Sequence, residues 1–308
     1  MTTTDTPGTV SRDRQRAAPA PEPAPRRRRR PRKIVQGTAY HLFSSVLAIV
    51  FLLPIVWVTL NSFKSSGEAN QSPPTWFPQT WSLDNYLKLS DFGSGIGIYL
   101  WNSLSLSVLV VVGTVIVTVL AGYGFARYTF RGKGLLFGST LLVLMVPYAT
   151  ILIPLFMVMS WLGLANTTIG LALVQIMFHL PFSTFLMRNS FDSIPREIEE
   201  AALVDGCGTF SSFRHISLPL VVPGIVTVAL FGFIASWNEF LAPLIFLSGE
   251  NSYTLPVMLV NLSSGQYGEV DYGALQAGIV VTIVPVLVLY LFLQRYYVSG
   301  LVNGALRG

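Results

Sequence analysis

The sequence predicts an all-α membrane protein with six transmembrane helices. Of its 308 residues, 52% are apolar and only 11% are charged, which is typical of membrane proteins and not of soluble domains. The apolar residues gather into runs of about twenty, the length that a helix needs to cross a hydrocarbon core of about 30 Å. The alternating pattern of a membrane barrel is absent. Because lipid offers no partner to backbone polar groups, helices that satisfy their own hydrogen bonds are expected.

Six apolar runs give the predicted spans, in chain order. They cover residues 40–60, 101–123, 135–161, 168–187, 220–247 and 275–297. The fifth begins at Pro219 and Pro223 and reaches Pro243, and we expect it to be kinked because each proline removes a backbone donor. We divide the chain into a basic, disordered tail (1–36), the first helix with the loop that follows it (37–97), a transmembrane domain (98–296) that contains the loop 189–218, and a C-terminal tail (297–308).

Lysine and arginine lie almost entirely on one side of the predicted membrane. Eighteen of the twenty fall in the N-terminal tail, in the segments after spans two and four, or at the C-terminal end, whereas Lys64 and Lys88 fall on the other side. Loops rich in these residues face the cytoplasm in most membrane proteins. We therefore expect both termini and the loop 189–218 to be cytoplasmic in a multi-pass protein of the cell membrane.

The N-terminal tail carries the run Arg26 to Arg30 after a stretch rich in proline, alanine and threonine. Such a composition has too few apolar residues to fold. Binding of nucleic acid is one interpretation of the basic run. A basic run directly before a first transmembrane helix is more often an orientation signal that contacts anionic lipid, so we expect membrane lipids and no nucleic acid as partners.

The loop after span four predicts a short helix of about three turns. Pro195 favours a helix start, acidic residues follow in the first turns, and Gly206 allows a left-handed stop. One face of this helix is small and weakly apolar as a whole, because Ile198, Ala201, Ala202 and Asp205 recur on it at helical spacing. This face favours the close approach of a partner. The alternative is an amphipathic helix that lies on the bilayer or packs within the same chain.

The chain lacks the common catalytic and metal-binding patterns. It has no Gly-x4-Gly-Lys-[Ser/Thr] phosphate loop and no Gly-x-Ser-x-Gly elbow. Its histidines are scattered, and its lone Cys207 offers neither a disulfide nor a metal site. We expect no cofactor, no metal site and no enzyme activity, so that a transporter of this sequence depends on an ion gradient or on a separate motor protein.

Glu239 is the only acidic residue within a predicted span, in the sequence Trp237-Asn238-Glu239. A charge in the membrane is costly unless it faces a polar cavity or finds partners. We therefore predict that a translocation path is lined by Trp237, Asn238, Glu239 and Asn102. A structural hydrogen bond between helices is the alternative. An ion-coupled carrier and a membrane scaffold that does not transport are rival functions, although one acid is weak support for a proton relay.

The loop 189–218 resembles the cytoplasmic loop of permease subunits of binding-protein-dependent ABC importers. The resemblance rests on Glu200-Ala201-Ala202, on Gly206 and Ile216 at the family spacing, and on Leu218-Pro219. Asp205, Phe213 and Pro223 suit the variant of carbohydrate permeases. In that family the loop forms a coupling helix that fits a cleft of the ATP-hydrolysing subunit. The resemblance therefore implies a type I ABC importer transmembrane domain, with ATPase contacts at Glu200, Ala201, Ala202, Asp205, Gly206, Phe213, Ile216, Leu218 and Pro219.

Two further segments resemble the carbohydrate permeases. The last residues resemble the ending of the maltose-permease branch, whose tail inserts between the ATPase subunits, and this implies tail contacts at Gly300, Leu301, Gly304 and Arg307. Trp237-Asn238-Glu239-Phe240 resembles a segment of span five in the same permeases. The resemblance also implies that the loop 248–274 contacts a sugar-binding protein.

The resemblance implies a permease subunit of a bacterial sugar importer, with a di- or oligosaccharide as the substrate. Its implied partners are two ATP-binding subunits, a second related permease and an extracellular sugar-binding protein or lipoprotein. A permease for another solute, such as a peptide, phosphate or a sulfonate, is the nearest alternative, and the C-terminal ending argues against it.

Overall fold

The computed structural model describes Thr2, residues 31–265 and residues 270–305, with side chains described over 40–265 and 270–294. Contacts divide the chain into one unit up to Leu52 and a second unit from Leu53 to Gly308. The described residues contain helices and one isolated antiparallel bridge between Lys64 and Trp81, and no strand. The predicted all-α class is confirmed.

Fourteen α-helices are present in the described residues. They are α1 Pro31–Ser62, α2 Ser66–Ala69, α3 Asp84–Asp91, α4 Ile96–Arg127, α5 Lys133–Leu142, α6 Tyr148–Trp161, α7 Thr168–Asp192, α8 Arg196–Val204, α9 Thr209–Ser212, α10 Leu218–Leu220, α11 Val222–Trp237, α12 Leu241–Phe246, α13 Leu255–Ser263 and α14 Tyr272–Ala305. A π-helical turn, Phe213–Ser217, joins α9 to α10, and 3₁₀ turns occupy Val143–Met145 and Glu250–Ser252.

The described helices can form six membrane spans. Four are long and apolar enough to cross a membrane unaided: Tyr40–Ser62, Ile96–Arg127, Thr168–Asp192 and Tyr272–Gln294. Two more arise if each of two bent helix pairs counts as one span, with bends of 105° and 69°. One bent pair, Lys133–Met145 with Tyr148–Trp161, corresponds to the third apolar run, and the other, Thr209–Leu220 with Val222–Trp237, bends at the start of the fifth.

The third span is broken, although the sequence analysis expected one continuous helix over 135–161. The 3₁₀ turn after α5 ends at Met145, and α6 begins at Tyr148 at an angle of 105° to the preceding segment. Pro147 explains the break because it lacks a backbone donor and disfavours helical geometry in the residue before it. Val146 is accordingly extended, with φ −83° and ψ 126°.

The predicted kink of the fifth span is confirmed, but the predicted continuous helix over 220–247 is wrong. The helical segment up to Leu220 meets α11 at 69°, and α11 then ends at Trp237. The Asn238 amide donates to the carbonyl of Ile234 at 2.7 Å. An asparagine side chain that binds its own backbone in this way competes with helix continuation, and the helix resumes only with α12.

Both ends of the helical region extend beyond the predicted bounds. Helix α1 begins at Pro31, inside the region 1–36 that we expected to be a tail, and α14 continues to Ala305, inside the expected tail 297–308. Gly300, Leu301 and Gly304 therefore lie on α14. Arg307 lies outside the described residues, as do residues 3–30, with most of the basic tail, and residues 266–269 of the loop 248–274.

Helices α4 and α7 pack closely and run in the same direction. A Cβ atom at Gly113 would lie 2.4 Å from Ile176 Cδ1, and one at Gly122 would lie 2.6 Å from Met187 Cβ and 2.9 Å from the Arg188 backbone nitrogen. Glycines at such positions let two backbones approach, which is how helices associate in lipid. Gly122 meets backbone, which cannot move aside as a side-chain end can.

Buried polar contacts join α7 and α14 to α11. The Ser236 hydroxyl donates to Gln175 Oε1 at 2.6 Å, and the Trp237 indole donates to the carbonyl of Thr282 at 3.1 Å. All three side chains involved, those of Gln175, Ser236 and Trp237, are buried. Because unpaired polar groups are expensive in lipid, these bonds favour one arrangement of the three helices.

We predict that Gly122→Ala destabilises the protein by about 2 kcal/mol, the usual cost of overpacking a close helix contact. Gly124→Ala is the matched control, because a Cβ there meets nothing within 4 Å. The midpoint of thermal unfolding in detergent, followed by size-exclusion chromatography, measures both variants. Equal shifts for the two variants would contradict this account of α4 and α7.

Candidate functional site

The connecting segment, residues 196–219, lies between α7 and α11 and contains a short helix with a glycine stop. Helix α8 follows Pro195, and its acidic first turn suits the positive end of the helix dipole. At its end Gly206 has φ +87°, and the Cys207 N–H donates to the carbonyl of Ala202 at 3.0 Å. This left-handed glycine closes the helix in the manner common at helix C-termini, so the chain reverses there.

The residues that the sequence analysis assigned to ATPase contacts differ in exposure. Ala202 is buried, and the side chains of Phe213, Ile216 and Leu218 are half-buried. The other five are exposed, namely Glu200, Ala201, Asp205, Gly206 and Pro219. Four of these exposed residues, all except Pro219, lie on α8 or at its glycine stop, and the half-buried residues connect this surface to the membrane helices.

Three apolar side chains of the connecting segment are also exposed, and the sequence analysis did not select them. Val204 is 87% exposed and Phe210 is 73% exposed, with Leu203 at 48%. Leu203 and Val204 lie on the same helix as Glu200 and directly precede Asp205, both of which are charged and exposed. Large exposed apolar side chains with a polar rim are a common mark of a protein interface. The presence of Leu203 and Val204 between Ala202 and Asp205 was the available sequence signal.

A nearly buried ion pair holds α8 against the end of α4. Arg127 Nε donates to Glu199 Oε1 at 2.8 Å, with side-chain exposures of 8% for Arg127 and 12% for Glu199. The same oxygen accepts the Ser217 hydroxyl at 2.6 Å, and Arg127 Nη2 donates to the carbonyl of Ile194 at 3.2 Å. Glu199 thus ties α8 both to α4 and to the π-helical turn.

Aromatic packing anchors the second half of the connecting segment. The Phe213 ring lies 4.7 Å from the Tyr123 ring, and the Phe191 ring lies 5.3 Å from Tyr123, measured between ring centroids. Phe191 is fully buried. Contacts of this geometry add stability beyond the area that they bury, so Phe213 joins the segment to both α4 and α7.

The sequence analysis missed Arg127, Glu199 and Ser217 as members of the site. It used Arg127 only as evidence of topology and Glu199 only as a helix-start charge. The two partners of the ion pair are 72 residues apart, and no local pattern connects residues at such a distance. The presence of an arginine at the end of an apolar run was the only available signal.

The four residues predicted to line a path lie in three environments. Trp237 is fully buried and stacks on Phe233, with ring centroids 5.4 Å apart. Asn102 donates its amide to the carbonyls of Asn251 at 2.8 Å and Tyr253 at 3.0 Å, which holds the segment between α12 and α13. These two side chains are engaged within the protein.

Asn238 and Glu239 occupy the break between α11 and α12. Asn238 is exposed, and Glu239 is half-buried. Glu239 Oε1 accepts the backbone N–H groups of Leu241 at 2.9 Å and Ala242 at 3.0 Å, so it caps α12. Of the four predicted residues, this pair lies where irregular backbone interrupts the span.

Comparison with protein families identifies the chain. A family model described as "Binding-protein-dependent transport system inner membrane component" matches residues 115–301, which include the connecting segment and the break after α11. The chain belongs to this family. As an inner membrane component with several apolar helices, it is a multi-pass protein of the cytoplasmic membrane.

Named relatives match this inner membrane component along most of their length. The diacetylchitobiose uptake system permease protein of Streptomyces coelicolor is 37% identical over 264 residues, with 84% of this chain and 85% of the relative covered. The sulfoquinovosyl glycerol transport system permease protein of Agrobacterium fabrum is 35% identical, with 86% of this chain and 92% of the relative covered.

A solved structure shares the fold of this inner membrane component. It belongs to a bacterial ABC transporter involved in the import of the acidic polysaccharide alginate, with a TM-score of 0.73 and 24% identity. The match covers 85% of this chain and 96% of that chain. The predicted type I ABC importer transmembrane fold is confirmed.

We predict that Glu199→Ala destabilises the protein by about 3 kcal/mol, because it leaves the Arg127 guanidinium nearly buried without its partner. Glu200→Ala, at the next position of the same helix, is the matched control because Glu200 is exposed. Thermal unfolding of the two purified variants measures the difference. If both variants unfold at the same temperature as the unaltered protein, the ion pair does not hold α8 in place.

Proposed function

We propose that this chain is one permease subunit of an ATP-driven, binding-protein-dependent importer that moves a sugar across the cytoplasmic membrane. Membership of the inner membrane component family supports the transport class. The relative named for diacetylchitobiose supports a disaccharide, and the relative named for sulfoquinovosyl glycerol supports a glycoside more generally. The connecting segment carries the proposal. Its helix α8 is held against the membrane helices, and it exposes apolar side chains beside the residues that match the family motif.

The proposed partners supply the functions that this chain lacks. Two ATP-binding subunits hydrolyse ATP, so this chain is not itself an enzyme, and its sequence contains no phosphate loop. A second, related permease completes the path, and an extracellular sugar-binding protein or lipoprotein delivers the substrate. In this proposal both termini and the connecting segment lie on the cytoplasmic side, where the ATP-binding subunits are, and the distribution of basic residues supports this orientation.

The proposed ATPase contact is the exposed face of α8 and its glycine stop. Glu200, Ala201, Asp205 and Gly206 contact the ATP-binding subunit, together with the exposed apolar side chains of the segment. The buried Ala202 and the half-buried Phe213, Ile216 and Leu218, with Pro219 at the start of the fifth span, fix the angle of that face. Gly300, Leu301, Gly304 and Arg307 form a second contact near the C-terminus.

Force at α8 has two routes into the membrane helices. One route is the Glu199–Arg127 pair, which leads to α4, and the other is the π-helical turn, which leads through α10 to α11. Because packed helices have discrete arrangements, closure of the ATP-binding subunits switches the path between two states instead of deforming it gradually. ATP drives this switch only through its different affinity for the two states.

The proposed path passes the break between α11 and α12. Non-helical backbone at membrane depth is tolerated where it lines a polar cavity or is covered by protein. Asn238 and Glu239 carry polar groups at this break, whereas Trp237 and Asn102 hold the surrounding helices in position. In this proposal Asn238 and Glu239 face the path, and Trp237 and Asn102 position those two residues.

We predict that Gly206→Arg abolishes ATP-driven uptake of labelled di- and oligosaccharides while the spans still insert. The arginine would place a bulky charge at the contact face and would strain a backbone with φ +87°. Gly206→Asn is the matched control, because asparagine tolerates the left-handed region, and it should retain most of the uptake. Normal uptake by Gly206→Arg in proteoliposomes of the complete complex would count against the proposal.

We also predict that Glu239→Gln supports ATP-driven uptake close to that of the unaltered protein. Glutamine keeps the oxygen that accepts the Leu241 and Ala242 N–H groups, whereas Glu239→Leu removes the cap of α12, worth about 1 kcal/mol, and should lower uptake. Uptake is measured with ATP in the presence and absence of a protonophore. Loss of uptake both in Glu239→Gln and with the protonophore would instead indicate an ion-coupled carrier.

A further inference from the structure

The loop after α1 returns alongside the last turns of that helix. The Trp76 ring meets the Trp57 ring edge to face, with centroids 4.8 Å apart and planes at 72°. Trp57 lies five residues before α1 ends at Ser62, which corresponds to about 7.5 Å along a helix axis. The loop therefore folds back along α1, and Trp76 contacts a residue within the membrane span and not beyond its end.

A buried charged cluster fixes this loop. The Lys64 ammonium donates to the carbonyl of Thr75, the Thr75 hydroxyl donates to Glu68 Oε1 at 2.7 Å, and the Gln79 N–H donates to both Glu68 oxygens at 3.0 and 3.1 Å. Lys64 and Glu68 are both buried. The hydrogen bond from Thr75 lowers the pKa of Glu68, which keeps the carboxylate charged. The cluster acts as a clamp on residues 75–79.

The clamp holds large aromatic side chains in an exposed position. Trp76 is 66% exposed, Phe77 is 72% exposed and Trp81 is 69% exposed. Exposure of these side chains to water is unfavourable, because burying one such side chain stabilises a protein by about 2 kcal/mol. Their loop, residues 73–81, contains no charged residue. We expect a rigid, uncharged and aromatic surface of this kind to contact lipid or protein and not water.

The surface is continuous with a membrane-facing part of α1. Leu53, Ile55 and Val56 precede Trp57 by one to four residues, and each is about half exposed on a helix long and apolar enough to cross a membrane. Tryptophan is enriched where the hydrocarbon core meets the headgroups, since its ring is apolar and its N–H is polar. The position of this loop therefore favours contact of its aromatic side chains with lipid.

We propose that Trp76, Phe77 and Trp81 form an aromatic anchor that inserts into the bilayer interface at the Ser62 end of α1. Two contacts join the neighbouring parts of the chain to the start of α14. The Tyr272 N–H donates to Asn70 Oδ1 at 3.0 Å at the start of α14, and Lys88 of α3 pairs with Asp271 at 2.6 Å. Insertion of the anchor fixes the depth of this end of α1, α3 and α14 while the opposite end moves.

The test places a nitroxide label at residue 77 in the full chain, in nanodiscs, with the subunits that copurify with it. Cys207→Ser removes the single native thiol of this chain, which is labelled before the complex is assembled from it; Phe77→Cys carries the label, and Gln71→Cys is the matched control on the same loop. Collisions with oxygen, which concentrates in lipid, are compared with collisions with a water-soluble nickel chelate. We expect an oxygen-to-nickel ratio at residue 77 several-fold above that at residue 71.

Two results would overturn the proposal. A ratio at residue 77 equal to that at residue 71 would place the anchor in water, and low accessibility to both reagents would mean that a protein surface covers it. Thr75→Val supplies a second readout, because it removes the hydroxyl that Glu68 accepts without changing the size of the side chain. We expect higher label mobility and a lower ratio at residue 77 in this variant, and an unchanged spectrum would show that the clamp does not position the anchor.

Discussion

One carboxylate, Glu199, determines how the connecting segment is attached to the membrane helices. It accepts hydrogen bonds from Arg127 at the end of α4 and from Ser217 in the turn that leads to α10. Because both partners of the ion pair are nearly buried, separating them would leave an uncompensated charge. Helix α8 therefore cannot swing independently of α4, and any displacement of α8 must move the membrane helices with it.

The rest of the fold combines closely packed helix pairs with helices that are broken within a membrane span. Helices α4 and α7 meet through Gly113 and Gly122, which allow little relative motion. In contrast, the third and fifth apolar runs are interrupted near Pro147, Val221 and Asn238. A rigid centre with bent neighbours suits a protein that changes between two arrangements, because the packed parts transmit displacement and the breaks absorb the change in angle.

Sequence alone predicted the number and approximate bounds of the spans, because a run of twenty apolar residues leaves few alternatives to a membrane helix. It predicted the kink of the fifth span but not the break of the third at Pro147. Pro54, Pro154, Pro181 and Pro285 lie inside helices, whereas Pro147 ends one. Neighbouring helices decide this outcome by satisfying the freed carbonyls. The motif located the connecting segment, but its attachment through Arg127 and the burial of Trp237 against Thr282 depend on contacts between distant residues.

Crosslinking from the exposed face of α8 tests the central claim most directly, because that face is proposed to contact a separate ATP-hydrolysing subunit. In a Cys207→Ser background, Val204→Cys places a thiol at the most exposed apolar position of α8. With the complete complex in vesicles, the account predicts a crosslink from residue 204 to the ATP-hydrolysing subunit, with a yield that changes when ATP is bound. A complex that transports sugar yet forms no such crosslink in any nucleotide state would contradict it.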